Sequence, residues 1–419
     1  TAFPEDNMVA DRLRILRQPR LRRRALTVLT NTVNSLIVPG FGVLVSLLVV
    51  RRGSTELWGA FVAVMIYVQL AAHIIGWGNK EYLLRAFSFS PAHIAREWQT
   101  SLITRLALLI PVGAVVVMLS PSPALAGLSL AWCAGLVLYQ ANDVLILYRK
   151  DFVYSIIIEL AAIALLVGAV MWQGPNLTVS NLVFWFALTA WLKAAAFLLR
   201  YRGHVLAHRA GRFWLPYFRV ALLFFLLGFS GLLQSRVDLY AVNYYLPPTQ
   251  VGQYQVFINL MLYLQSISAF ILMPFAKTIY RLDTTTIARM SIRLLALGIA
   301  IVVPGLVLAY AVLIHLYQYA VPPAAMLLGG LMVLPSYFYL PIIYSFFRAN
   351  RQIVVLAVNL IGIAASLALS VSLLPRIGMA GALTASAASQ WLMLAIYVVW
   401  GRRLRNQGTP PLETAPVAK

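Results

Sequence analysis

Arg236 and Asp238 lie two positions apart inside an apolar stretch, LLQSRVDLYAVNYYLPPTQVGQY (232–254). If the stretch is helical, two residues correspond to ~200° of rotation, so the two side chains face different directions and form no local ion pair. Gln234 and Asp238 then share one face, whereas Arg236, Tyr240 and Asn243 share another. The sequence therefore predicts that one face lines a cavity and that the other packs on neighbouring helices.

We expect the Arg236 face to line the cavity, because a buried guanidinium can bond two oxygens of a pyrophosphate at once. An internal counter-charge is the alternative role for Arg236. Asp238 is expected either to bond to a neighbouring helix or to form part of a cation site, because an ionised group in hydrocarbon usually has a partner or water.

A second group of polar residues lies in the first half of the chain, at similar depths in predicted helices. At ~1.5 Å per residue, all of them fall roughly 8 to 14 Å from the predicted cytoplasmic ends. They are His73, Asp143, Glu159, Lys193, Asn31 and Asn34. Glu159 and Lys193 are expected to pair. The candidates for ion coupling are Asp143, Glu159 and Asp238, and with less support His73. Lys193, Asn31 and Asn34 are expected to line the substrate cavity with Arg236. Charge pairs that only fix helix packing are the alternative.

Three further residues are candidates for substrate contact. Tyr337, between Pro335 and Pro341, could stack on a sugar ring or anchor the helix at the membrane interface. Arg51 and Arg52, at the predicted outer mouth, could receive a pyrophosphate on release or meet lipid phosphates. The chain has a single cysteine, so no thiolate metal site or internal disulfide is predicted.

The elements that position these residues are membrane-spanning helices. The chain has 419 residues, of which 61% are hydrophobic and 11% charged, with a mean hydropathy of +0.83. A soluble domain needs more surface charge than this, so the composition predicts an all-α polytopic membrane protein. Twelve apolar runs are long enough to cross a bilayer. They lie near 25–50, 59–78, 102–119, 125–147, 153–172, 182–199, 219–246, 254–276, 291–316, 323–347, 352–374 and 380–400.

The basic charges predict the orientation. Of the 33 Lys and Arg residues, only Arg51, Arg52 and Arg376 fall in predicted outer loops, and Lys193 and Arg236 lie inside helices. The remainder lie on one side, which the positive-inside rule assigns to the cytoplasm together with both termini. The net charge of +21 therefore predicts contact with anionic membrane lipids and not with nucleic acid.

The two halves of the chain resemble each other. ELWGAFVAVMIYVQL in the first half matches TQVGQYQVFINLMLYLQ in the second, which aligns Gly59 with Gly252. We predict a basic cytoplasmic segment (1–24), an N-lobe of helices one to six (25–200), a linker (201–218), a C-lobe of helices seven to twelve (219–400) and a cytoplasmic tail (401–419). Parallel repeats of this kind are typical of transporters, with the site between the halves near the midplane.

Two segments carry a resemblance to a known family. RVDLYAVNYYLPPTQVGQY resembles the seventh–eighth helix pattern of the multidrug/oligosaccharidyl-lipid/polysaccharide (MOP) exporter superfamily, and ANRQIVVLAVNLIGIAASLALSVSLLPRIGMAGALTASAASQ resembles its eleventh–twelfth helix block. The predicted number of helices, twelve, resembles that of the Wzx-type polysaccharide flippases. MurJ-type lipid II flippases carry arginines on the first helix, where this chain has Asn31, Thr32 and Asn34.

The resemblance implies two six-helix lobes around a central V-shaped cavity, as in MATE transporters. The implied activity is movement of an undecaprenyl-pyrophosphate-linked glycan to the outer leaflet of a bacterial inner membrane, for O-antigen or polysaccharide synthesis. Polymerase and chain-length proteins of the same pathway are the implied protein partners.

Three rival functions remain open at this stage. A drug or cation antiporter of the same superfamily is the nearest, followed by a lipid II flippase and a membrane glycosyltransferase or polymerase. Such an enzyme needs acid–base residues outside the membrane, but the predicted outer loops contain only one carboxylate, Glu56. No Gly-rich Lys-Ser/Thr loop is present either. We therefore expect a secondary transporter without a resident cofactor, driven by H+, Na+ or the membrane potential.

Overall fold

The computed structural model describes residues 30, 37, 40–205, 211–272, 279 and 282–406. Within these residues the secondary structure is helical and contains no strand. Eleven helical stretches among them are long and apolar enough to cross a membrane. The predicted fold class, an all-α polytopic membrane protein, is confirmed.

Twelve helices are numbered here to follow the predicted spans, and three of them have a break. They are α1 (40–52), α2 (Thr55–Gly76 and Asn79–Phe89), α3 (Ile94–Leu106 and Leu109–Leu119), α4 (Pro123–Gln140 and Asp143–Arg149), α5 (Phe152–Gln173), α6 (Val179–Arg200), α7 (Tyr217–Tyr245), α8 (Pro248–Leu272), α9 (Thr284–Ala311), α10 (Pro323–Arg348), α11 (Gln352–Ile377) and α12 (Met379–Asn406). A π-helical turn, Val312–Tyr317, continues α9.

Side-chain caps mark the same end of three helices in the first half. The hydroxyls of Ser54, Ser122 and Thr178 accept hydrogen bonds from backbone N–H groups in the first turns of α2, α4 and α6. Each satisfies a donor that has no partner within its helix. The other end of the bundle carries Arg149, Arg200 and Arg348 and is called the basic end below.

The segment FSPAHIAREWQ joins α2 to α3. The Ser90 side chain makes no capping hydrogen bond. A 3₁₀ turn, Pro91–His93, leads directly into α3. The predicted second and third spans are therefore longer than the apolar runs that marked them, because polar turns continue both helices at the basic end.

The packing of helices two to six recurs in helices eight to twelve. In the first set α2, α3 and α6 all contact α4, and in the second set α8, α9 and α12 all contact α10. Likewise α5 contacts α6 and α11 contacts α12. The matching helices α4 and α10, α5 and α11, and α6 and α12 each begin 200 residues apart, at Pro123 and Pro323, Phe152 and Gln352, and Val179 and Met379.

Helix α2 contacts helices of the second half at two levels. Away from the basic end, Gly59 packs so closely on α8 that an added Cβ would lie 1.7 Å from the Pro248 carbonyl oxygen. Gly252 of α8 in turn packs closely against the backbone of Thr55 and Gly59. Toward the basic end, the Trp77 ring stacks on Phe225 of α7 at 4.0 Å between centroids.

Candidate functional site

Arg236 and Asp238 face different directions on α7, as the helical period predicts. No ion pair links Arg236 to Asp238 among the described residues, and the two side chains have different partners. Asp238 points among helices of the second half, whereas the Arg236 face reaches toward α2. The 3.6-residue period alone separates them.

Asp238 is buried in a small polar pocket of the second half. Its carboxylate accepts hydrogen bonds from the Tyr254 hydroxyl of α8 at 2.5 Å and from the Ser386 hydroxyl of α12 at 2.9 Å. The rest of the pocket is mainly amide and hydroxyl groups with a few apolar side chains: Gln234, Ser235, Ile258, Leu262, Gln265, Met332, Ser366, Ser389 and Gln390. Asp238 thus ties three helices together in a chemically neutral setting.

Arg236 lies half-buried on the opposite face of α7. Its guanidinium donates to the Oδ1 atom of Asn259 on α8 at 2.8 Å, so its described partner is an amide and not a carboxylate. Tyr240, one turn along the same face, donates its hydroxyl to the Ile66 carbonyl oxygen of α2 at 3.1 Å. The positive charge of Arg236 therefore lies where the two halves approach each other and is not cancelled by an ion pair.

Glu159 of α5 and Lys193 of α6 form the predicted ion pair. The Lys193 Nζ atom lies 3.2 and 3.3 Å from the two carboxylate oxygens, and the Glu159 side chain is buried. Tyr139 of α4 completes the group: its hydroxyl donates to Glu159, and its ring lies 4.2 Å from the Lys193 Nζ atom. The tyrosine therefore contacts both charges, by a hydrogen bond and by a cation–π contact.

The remaining members of the predicted polar layer are not all in one place. Asp143 begins the second segment of α4, and the charges that act on it include those of Lys80, Glu159 and Lys193. His73 lies elsewhere, stacked on Phe229 of α7 at 6.1 Å between ring centroids. Asn31 and Asn34 lie outside the described residues. Residues predicted at the same depth therefore lie in at least two separate environments, because depth does not determine the direction in which a side chain points.

The expectation that Tyr337 offers a sugar-stacking surface is wrong for this structure. Tyr337 is fully buried, and its hydroxyl donates to the Leu264 carbonyl oxygen at 2.7 Å. Its ring packs on Gly298 of α9, where an added Cβ would lie 2.6 Å away. The tyrosine fills the space that the glycine leaves between two helices.

The two arginines beside the end of α1 differ from each other. Arg51 donates from Nε to the Leu316 carbonyl oxygen at 2.7 Å and from Nη2 to that of His315 at 3.1 Å. It therefore satisfies carbonyls at the end of the turn that follows α9 and links α1 to the second half. Arg52 is exposed and makes no hydrogen bond or ion pair with any other described residue.

Arg105 on α3 was not selected from the sequence. Its side chain is 1% exposed and donates to the Ser101 hydroxyl at 3.2 Å and to the Gly76 carbonyl oxygen at 3.3 Å. Gly76 ends the first segment of α2, where the helix dipole places partial negative charge. The sequence sign of this buried arginine is its position inside the apolar run 102–119. The charge distribution alone groups it with the basic residues on the cytoplasmic side.

Comparison with known proteins identifies the fold. The sequence matches no family model and no curated protein. The structure is similar to the inward-facing conformation of a multidrug resistance MATE family transporter of the MOP superfamily, with a TM-score of 0.59 and 11% identity, covering 88% of this chain and 94% of that one. For the MATE multidrug transporter DinF-BH, in complex with a ligand, the TM-score is 0.60 and the identity 14%, with 93% and 96% covered.

A MATE structure in the bent conformation gives a TM-score of 0.58 at 12% identity, covering 91% of this chain and 95% of that chain. The three likenesses span nearly the whole length of both partners. The chain is therefore a multi-pass membrane protein with the fold of MATE transporters.

Proposed function

We propose that this protein is a flippase that moves undecaprenyl-pyrophosphate-linked glycans from the cytoplasmic to the periplasmic leaflet by alternating access. In this proposal it is a Wzx-type secondary transporter of the bacterial inner membrane, with both termini in the cytoplasm. The MATE fold supports a transporter, and the resemblance of the helix seven–eight and eleven–twelve segments supports the lipid-linked substrate.

The observation that carries the proposal is that Arg236 has a neutral hydrogen-bond partner and no ion pair among the described residues. Its guanidinium is held by the neutral Asn259, on the face of α7 that reaches α2. Keeping a cation half-buried in a helix bundle costs free energy, and a carboxylate partner would lower that cost. A site that lacks this partner is suited to an anionic ligand, and a pyrophosphate supplies oxygens that match the guanidinium fork.

Ion coupling in the proposed cycle uses carboxylates that form no ion pair with Arg236. Asp143 and the Glu159–Lys193 pair are the candidates in the first half, and Asp238 is the candidate in the second. His73 is a weaker candidate, because it packs on Phe229 away from these carboxylates. The membrane potential is a further source of energy, because each elementary charge that crosses ~100 mV contributes about 2.3 kcal/mol.

The test is flipping of an undecaprenyl-pyrophosphate-linked oligosaccharide in proteoliposomes that contain the wild type, Arg236→Lys or Arg236→Gln. We expect Gln to abolish flipping and Lys to retain part of it, because Lys keeps the charge but loses the bidentate geometry. Arg219→Gln is the matched control, because it removes an exposed arginine from the same helix that has no part in the proposed site. Full activity of Arg236→Gln would end the proposed role of Arg236.

A drug or cation antiporter is the second candidate. The similar structures are multidrug transporters by name, and Asp238 provides a buried carboxylate. If the wild type moves no lipid-linked glycan but exports cationic dyes, the antiporter replaces the flippase. In that case Asp238→Asn is expected to lower dye export more than Arg236→Gln.

A further inference from the structure

Two tyrosines lie close together beside Arg236, one from each half of the chain. Tyr67 of α2 is 37% exposed, and its ring centroid is 6.1 Å from that of Tyr240 on α7, with the ring planes tilted by 55°. Tyr337, by contrast, has both its ring and its hydroxyl occupied by protein contacts. Tyr67 therefore has the accessible surface that a ligand requires and that Tyr337 lacks.

Tyr240 fixes the position of this pair relative to Arg236. Its hydroxyl donates to the carbonyl oxygen of Ile66, the residue that precedes Tyr67, so α7 and α2 are held together at this level. Tyr240 follows Arg236 by four residues, which places the two side chains on the same face of α7 about one turn apart.

We propose that Tyr67 and Tyr240 form a carbohydrate subsite next to the pyrophosphate position at Arg236. The inference rests on the proposed flippase function and names the part of the substrate that this second position binds. An aromatic ring presents a flat apolar face that packs against the C–H groups of a sugar ring. Ligand sites commonly combine such an aromatic surface with a few well-placed polar groups.

The order of the groups matches the order of the ligand. In a lipid-linked glycan the first sugar is attached directly to the pyrophosphate, so the sugar subsite must adjoin the anion site. Arg236 and Tyr240 are four residues apart, ~6 Å along the helix axis. Because Tyr67 belongs to α2 and Tyr240 to α7, a sugar bound here contacts both halves of the protein, and movement of the halves would change the subsite.

The test compares two probes that differ only in the sugar. The affinity of the purified protein is measured for undecaprenyl pyrophosphate and for undecaprenyl pyrophosphate that carries N-acetylglucosamine. We expect the wild type to bind the sugar-bearing probe at least about tenfold more tightly than the bare one, which corresponds to about 1.4 kcal/mol. Tyr67→Leu is expected to remove most of that preference without changing the affinity for the bare probe, and Tyr67→Phe to retain most of it.

The control variants separate this proposal from the function on which it rests. Tyr244→Leu removes a tyrosine that is 81% exposed near the end of α7, and it should leave both affinities unchanged. Arg236→Gln should weaken the binding of both probes by the same factor. A wild-type ratio near one, or a Tyr67→Leu variant that keeps the wild-type ratio or weakens both probes alike, overturns the sugar subsite. If the wild type binds neither probe, the flippase proposal itself fails.

Discussion

The two halves of the molecule place different chemistry on the same helical frame. Three positions of the first half correspond to positions 200 residues later in the second, because α4 to α6 and α10 to α12 begin with that offset. In the first half they are Tyr139, Glu159 and Lys193, and in the second they are Tyr339, Asn359 and Met393. The tyrosine is common to both halves, whereas the ion pair occurs at these positions only in the first.

The tyrosines have similar surroundings but different acceptors. The Tyr139 hydroxyl donates to the Glu159 carboxylate, and the Tyr339 hydroxyl donates to the Gln390 Oε1 atom at 2.9 Å. Tyr139 packs on Phe197 at 5.8 Å between ring centroids, and Tyr339 packs on Tyr397 at 5.3 Å. The packing of these helices therefore needs an anchored tyrosine but does not need a charge.

This difference indicates why the ion pair is present. Burying two charges costs desolvation energy that their attraction only partly returns, and a neutral pair of similar size is often as stable. The second half shows that asparagine and methionine are compatible with this helix packing. This comparison supports the proposed role of the Glu159–Lys193 pair in ion coupling.

The largest expected effect tests that explanation. Glu159→Gln leaves Lys193 without its counter-charge, and Lys193→Met does the same to Glu159, so each single variant is expected to lose about 3 to 5 kcal/mol of stability. The double variant Glu159→Asn with Lys193→Met copies the second half and should recover most of that loss. Thermal unfolding in detergent measures the stability, and proteoliposome flipping measures the function.

The double variant decides between the two roles of the ion pair. We expect it to be folded but inactive. A folded double variant with full activity would show that the charges have no coupling role, and one that is as unstable as the single variants would show that the two halves are not equivalent at these positions.

The second prediction concerns the contact between the halves. In Gly59→Ala the added methyl group would lie 1.7 Å from the Pro248 carbonyl oxygen, so α2 and α8 must move apart. The expected cost is about 3 kcal/mol, at the upper end of the usual range for overpacking. Gly168→Ala on α5 is the control, because no atom lies within 4 Å of the added Cβ. Equal unfolding temperatures for the two variants would contradict the close packing.

The third prediction compares the two tyrosines directly. Tyr139→Phe removes a hydrogen bond to a charged acceptor and is expected to cost about 2 kcal/mol, whereas Tyr339→Phe removes one to a neutral amide and should cost about 1 kcal/mol. Only Tyr139→Phe is expected to change the pH dependence of flipping, because only Tyr139 contacts an ionisable group. The same pH profile for both variants would contradict the functional difference between the halves.

The smallest effect is expected where the halves are most alike. The indole N–H groups of Trp191 and Trp391, again 200 residues apart, donate to the carbonyl oxygens of Ala131 and Leu331 at 2.8 and 3.0 Å. The two rings are 42% and 44% exposed. Trp→Phe at each position should therefore cost the same amount, about 1 kcal/mol. Unequal shifts of the unfolding temperature would show that the structural repeat does not extend to the energetics.

Several of these features could be predicted from the sequence. The period of α7 separated Arg236 from Asp238, and matched depth on adjacent antiparallel helices paired Glu159 with Lys193. Both inferences depend only on rise and rotation per residue, which are properties of any helix. Tyr139 was not predicted as their third partner, because its distance in sequence from both charges gives no sign of the contact.

The sequence by itself located each of the membrane-spanning helices among the described residues, since a bilayer requires long apolar runs and a helix to satisfy the backbone. It also determined which charges lie within those runs. Only the tertiary structure decided how each helix is rotated. In it, Tyr337 is buried against Gly298 and Tyr67 is exposed beside Tyr240. Arg105 caps the break in α2. The physical reason is that lipid and neighbouring helices are equally apolar, so hydrophobicity does not distinguish the face of a helix that meets one from the face that meets the other.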